Sequence, residues 1–301
     1  MSYVKTTIAA IFALIMISGG MFAAAQETSY RTVADLDYYD GLTLPDEFSN
    51  GNDAYRQEFC RLDLYLPPTG GEPFPTVVWF HGGGLSGGKK HIPDGFREKG
   101  IAIVTVEYRL SSERAKCPDY LVDAAAAVAW TFAHIEEYGG DVRRIYVSGH
   151  SAGGYLSAML ALAPSWLGLF GRSNLELAAA FPISGQMTTH FQILNERRGS
   201  DVTPSNPAQI DEFAPLHFTT AKVPAIYLLV GDAKIEWPAR VEENALLAAM
   251  LKFPPDHGIV EFHSFPRTDH GTVLAPSVDF IVKKLTDSGE TGPEKTPDTL
   301  E

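Results

Sequence analysis

From residue 76 onward the chain alternates between two kinds of apolar pattern. TVVWF (76–80) and IAIVTVEY (101–108) are short, continuous and β-branched, as strands buried on both faces of a sheet should be. DYLVDAAAAVAWTFAHIEEYG (119–139) is longer and Ala-rich, with Asp119 at its start and a glycine at its end, and it predicts a helix. The rhythm repeats with RIYVSG (144–149) as strand, AGGYLSAMLALA (152–163) as helix and ELAAAFPIS (176–184) as strand. It resumes with AIYLLVG (225–231, strand), PARVEENALLAAMLKF (238–253, helix), IVEFHSF (259–265, strand) and VLAPSVDFIVKKLTD (273–287, helix). CRLDLYLPP (60–68) alternates as an opening strand does. Strands alternating with helices predict an α/β fold with a mostly parallel central sheet and helices on both faces.

Three stretches stand outside this rhythm. Residues 1–25 carry one charge, Lys5, then an apolar run from Ile8 to Ile17 and the small residues FAAAQ, which predict a signal peptide cut near Ala25 and a secreted or periplasmic address. No stable membrane insertion is expected after cleavage. Residues 26–57 read as a polar, aromatic-spotted lead to a main domain spanning 58–286. Within that domain, 187–223 breaks the pattern as an inserted loop-and-helix segment, and 287–301 is polar and expected to be disordered.

The 301 residues are 45% hydrophobic and 20% charged, enough apolar content for a full-size core. The formal charge of −13 repels phosphate backbones and argues against nucleic-acid partners. The two cysteines, Cys60 and Cys117, could pair in an oxidising compartment or remain free, and the spacing leaves both open. No Cys/His cluster has metal-ligand spacing.

The strongest chemical signal is RIYVSGHSAGGYLSAML. A strand runs into Gly149-His150-Ser151-Ala152-Gly153 and a helix begins at once. A serine on such a turn has its hydroxyl presented at a helix N-terminus, where negative charge is favoured, and this marks Ser151 as a nucleophile. VVWFHGGGLSGG places Gly82 and Gly83 after an early strand, where bare backbone N–H groups can face an oxyanion, with a further N–H from Ala152. No Gly-Lys-Ser/Thr ending follows, so a phosphate loop is disfavoured. The base should be a late histidine. His270, in SFPRTDHGTVL after the last strand, fits the chain order, whereas His263 lies within a strand, His257 in a Pro-rich turn, His150 packs beside the nucleophile and His81 helps hold the oxyanion loop.

Together these motifs resemble the α/β-hydrolase fold, and within it the serine esterases with a His-Gly-Gly-Gly motif, such as the hormone-sensitive-lipase-like and feruloyl- or acetyl-esterase-like groups. The resemblance spans roughly residues 58–285. It implies hydrolysis of short-chain carboxylic esters, free or polysaccharide-linked, through an acyl-enzyme on Ser151, with no cofactor or metal. In these hydrolases the triad acid usually stands three residues after the glycine that ends its strand. Counted from Gly231 that position is Lys234, which cannot accept a hydrogen bond. If the backbone stays extended, Asp232 and Glu236 share a side with it. Asp232, nearer the rigid strand end, is favoured, with Glu236 as the alternative. Amide or peptide hydrolysis on the same fold, arylformamidase-like or dipeptidyl-peptidase-like, is the second reading, and a binding module with an incomplete triad the third. The insert is expected to overhang the site, with Phe191, Phe213 and Trp237 as candidate lining residues.

Overall fold

The strand-and-helix rhythm becomes one eight-stranded sheet in the computed structural model, which describes residues 29–44, 48, 53–199, 208–220, 222–253 and 258–287. The expected signal peptide, the C-terminal tail beyond Asp287 and His257 lie outside the described residues. The strands are β1 (Arg31–Asp37), β2 (Arg61–Leu66), β3 (Phe74–Phe80), β4 (Ala102–Val106), β5 (Gly140–His150), β6 (Ala179–Ile183), β7 (Ala225–Val230) and β8 (Val260–Ser264). Their order across the sheet is β1-β2-β4-β3-β5-β6-β7-β8. β2 pairs antiparallel with β1 and with β4, and every other pairing is parallel.

The period-2 alternation of strand side chains divides the core into two layers. Val78 and Phe80 of β3, Val104 and Val106 of β4, and Ile226 and Leu228 of β7 face one layer. Val77, Trp79, Ile103, Tyr227 and Leu229 face the other. The first layer is covered by α2 (Asp119–His134), α3 (Ala152–Leu162), α4 (Pro164–Gly168) and α6 (Arg240–Leu251), the second by α7 (Leu274–Asp287). Every residue of α2 from Asp119 to Phe132 is buried, and for this reason its sequence is almost continuously apolar and carries no polar stripe. Each large aliphatic side chain so enclosed contributes about 1.5–3 kcal/mol relative to exposure.

Two short helices complete the set, α1 (Asp53–Phe59) and α5 (Phe191–Arg198). The lead segment is more than a lead. Its RTVADLD becomes β1, which extends the sheet from Arg31, and α1 follows it. β1 is a half-exposed edge strand, with a register shift between Val33 and Leu36 and a left-handed backbone at Asp35 (φ 57°). Cys60 and Cys117 are free thiols, Cys60 within the core. Burial pushes the Cys117 thiol up to about 12.

Parallel pairing has one functional consequence. β3, β5, β6, β7 and β8 all end on the same side of the sheet, so the loops that leave them converge there. Those loops carry His81–Gly84, Ser151, Ser184, Glu236 and His270.

Candidate active site

Ser151 sits between β5 and α3 with φ 58° and ψ −113°, a backbone conformation that non-glycine residues rarely adopt. Both sides of the turn hold it. Its N–H donates to Ile183 O at 2.8 Å, and its carbonyl accepts from Tyr155 N at 2.9 Å. The turn also requires α3 to pass against the end of β3. A Cβ on Gly153 would lie 1.9 Å from Phe80 O, and one on Gly149 2.4 Å from the same oxygen. No larger residue fits either place.

His270 lies in the loop between β8 and α7. Its Nε2 is 2.9 Å from Ser151 Oγ, and its Nδ1 is 2.8 Å from Glu236 Oε1. Asp269 fixes the turn by accepting from Gly271 N, Thr272 N and Thr272 Oγ1 at 3.1, 2.8 and 2.7 Å. From the elbow side, His150 Nε2 donates to the carbonyl of His270 at 2.5 Å. Burial, with the nearby His270, holds the His150 pKa down to about 4, so the ring is neutral at ordinary pH. The Trp237 ring stacks on His270 at 3.9 Å and 15°, covering one face of the imidazole.

Glu236 is the carboxylate that faces this histidine. Oε1 also accepts from Trp237 N at 2.8 Å, while Oε2 accepts from Ser184 Oγ at 2.7 Å and from Gly231 N at 3.2 Å. Burial works to raise its pKa, but the bonds from His270, Ser184 and Trp237 outweigh that and hold it at about 2. The side chain is therefore ionised across all ordinary pH. Such a carboxylate can fix the tautomer and orientation of His270 and stabilise its protonated form.

The preference for Asp232 is corrected by the path of the backbone. After Gly231 the chain does not stay extended. It makes a helical turn in which Ile235 N and Glu236 N both donate to Asp232 O, at 2.9 and 2.8 Å. The turn carries Glu236 back over Gly231, so closely that a Cβ there would lie 2.7 Å from Glu236 Oε2. Asp232 points elsewhere. Its carboxylate accepts from Lys234 N at 3.0 Å and Arg267 N at 2.8 Å, and its N–H donates to Thr268 O at 2.8 Å. It ties the β7 loop to the histidine loop without touching His270.

The glycine loop after β3 adjoins the serine. A Cβ added to Gly82 would lie 3.4 Å from Ser151 Cβ, and Gly83 has φ 114°. The N–H groups of Gly82, Gly83 and Ala152 donate to no other described residue. His81 supports the loop as expected. Its Nδ1 donates to Gly82 O at 2.7 Å, and Tyr108 stacks on its ring at 4.4 Å while donating to its carbonyl at 2.8 Å. Burial holds His81 at about 4, hence neutral. Next along, Arg109 is locked by Asp123 (2.8 Å) and Asp119 (3.3 Å), so a buried ion pair anchors the segment beneath the glycine loop.

Comparison with known proteins agrees with this architecture. The BD-FAE family model matches residues 62–182. Mouse carboxylesterase 1F is 29% identical over 187 residues, covering 56% of this chain and 33% of its own. A probable carboxylic ester hydrolase, LipM, of Mycobacterium tuberculosis is 34% identical over 157 residues, covering 49% and 34%. The chain thus spans about a third of the length of these relatives. Among solved structures, a truncated carbohydrate esterase from gut microbiota superposes with a TM-score of 0.64 at 16% identity, covering 88% of this chain and 98% of that one. A thermophilic esterase of the planctomycete Thermogutta terrifontis superposes with a TM-score of 0.59 at 23% identity, covering 78% and 92%. The chain has the α/β-hydrolase fold.

Within this α/β-hydrolase fold the sequence placed Ser151, His270 and the glycine loop together, and the structure brings them together. The insert is near the site in part. The Phe191 ring lies over Gly84, 3.2 Å from where a Cβ would stand, whereas Phe213 packs on Trp166 at 6.2 Å in the core layer. Ser184 escaped the sequence reading. It is fully buried, has φ 45° and donates to Glu236. The signal was there: it ends the strand next to the one whose loop carries the acid.

Proposed function

We propose that this protein is a secreted serine hydrolase of short-chain carboxylic esters. One observation carries the reading: an unbroken Glu236–His270–Ser151 relay, with bonds of 2.8 and 2.9 Å, ends on a serine held at a strand-to-helix turn. Ser151 Oγ attacks the ester carbonyl as its proton passes to His270 Nε2. The N–H groups of Gly82 or Gly83 and of Ala152 face the oxyanion, each such donor being worth about 3 kcal/mol of barrier. Imidazolium, stabilised by Glu236, protonates the leaving alcohol. Water then attacks the acyl-enzyme with His270 again as base. The carboxylesterase-like relatives support an ester over an amide, and a neighbour described as a carbohydrate esterase supports sugar-linked esters among the substrates. The leader at 1–25 supports export. The binding-module reading assumed an incomplete triad, and Glu236 fills that gap. The test is hydrolysis of p-nitrophenyl acetate by the purified protein and by Ser151→Ala. The reading requires turnover that the variant lacks, and equal, near-zero rates for both would overturn it.

A further inference from the structure

Arg240 has no part in the chemistry described above, yet it lies against that site. It opens α6 and is only 3% exposed. Its Nε and Nη1 find no hydrogen-bond partner among the described residues, and neither does the buried Oδ1 of Asn244, one turn further along the same helix. Two carboxylates bear on the guanidinium, Glu243 and Glu236. Both are committed. Glu236 serves His270, Ser184, Gly231 and Trp237. Glu243 accepts from Met187 N at 2.9 Å, Thr188 N at 3.4 Å and Thr188 Oγ1 at 3.0 Å. A cation in the first turn of a helix also meets the positive end of the helix dipole. The two carboxylates and the Trp237 ring offset part of the cost of burying it, but none of them supplies Nε or Nη1 with a hydrogen bond, and such an unsatisfied buried group points to a partner from outside the fold.

Its position says where that partner would stand. The guanidinium lies 6.0 Å from the Trp237 ring, and that same ring stacks on His270. Arg240 also acts electrostatically on His150, beside the nucleophile, and on buried His190, which precedes Phe191 over the glycine loop. We propose that Arg240 recognises a carboxylate on the substrate, so that the preferred ester is an anionic one, its charge a few bonds from the scissile carbonyl. The guanidinium would meet that carboxylate through a charge-assisted hydrogen bond. This inference rests on the esterase reading.

The experiment uses two matched pairs of esters. Mono-p-nitrophenyl succinate is set against its methyl-capped neutral form for charge on the acyl side, and 4-acetoxybenzoate against its methyl ester for charge on the alcohol side. The full-length wild-type protein should favour the charged member of one pair in kcat/KM by about tenfold to a hundredfold. Arg240→Gln should erase that preference through KM, with the loss on the charged ester exceeding that on the neutral one by at least about tenfold, and Arg240→Lys should restore part of it. A wild-type preference for the neutral member of both pairs overturns the proposal, as does an equal loss on both members in Arg240→Gln. Should Arg240→Gln fail to fold, the wild-type comparison and Arg240→Lys still decide. Wild-type protein inactive on every ester would instead bring down the esterase reading itself.

Discussion

Replacing Glu236 by glutamine is the sharpest perturbation of the site, because shape is nearly conserved while charge is lost. Four donors converge on the two carboxylate oxygens. A glutamine must turn its –NH2 towards one pair of them. Ser184 Oγ can rotate to accept, but Gly231 N–H or Trp237 N–H then faces another donor. The folded carboxylate is held at about 2 against an ordinary 4.5, a gap that at ~1.4 kcal/mol per pH unit amounts to ~3 kcal/mol. The sign follows from a depressed carboxylate: this stability is complete above about pH 4.5 and is lost as the pH falls through about 2. Glu236→Gln should therefore lower unfolding free energy in urea by up to ~3 kcal/mol at pH 7, the difference from wild type closing by about pH 2. Without the negative charge the imidazolium loses its support, and kcat on p-nitrophenyl acetate should fall about 10³–10⁴-fold. Asp232→Asn, which leaves the His270 contact intact, should retain kcat within about threefold. If Asp232→Asn costs as much turnover as Glu236→Gln, the assignment of the acid is wrong.

Other consequences follow from neighbouring contacts. Gly153→Ala places a Cβ 1.9 Å from Phe80 O, so it should abolish activity and lower the melting temperature, and a variant that melts and turns over like wild type would contradict the packing at the elbow. Asp123→Ala leaves buried Arg109 with Asp119 at 3.3 Å as its remaining carboxylate and should cost about 3 kcal/mol in urea unfolding, while a loss under about 1 kcal/mol would refute the anchoring role. His81 and His150 are each held near 4 by burial, so the unfolded chain takes up their protons first. Stability should then fall with acidification between about pH 6.5 and 4, and His150→Asn should flatten part of that slope.

How legible the site was depended on whether a residue's role follows from local backbone rules. Ser151 did, because a glycine-flanked serine between a strand and a helix has few other conformations open to it. His270 did, because chain order and a turn after the last strand single it out. The acid did not. Asp232, Lys234 and Glu236 are ordered by whether the backbone after Gly231 extends or turns, and a stretch of mixed charge does not specify that. β1 was hidden for a different reason. An edge strand with one bulge and little buried surface shows no clean alternation. Arg240 reads in sequence as one more cation at the start of a helix, and only its burial separates it from a solvated one.

The central claim is that Ser151 is a nucleophile activated through His270. Reaction with a fluorophosphonate, followed by peptide mass mapping, tests it directly. The account predicts a single adduct on Ser151, formed in wild type and slowed by orders of magnitude in His270→Ala. An adduct elsewhere, or equal labelling of Ser151 in His270→Ala, would contradict it.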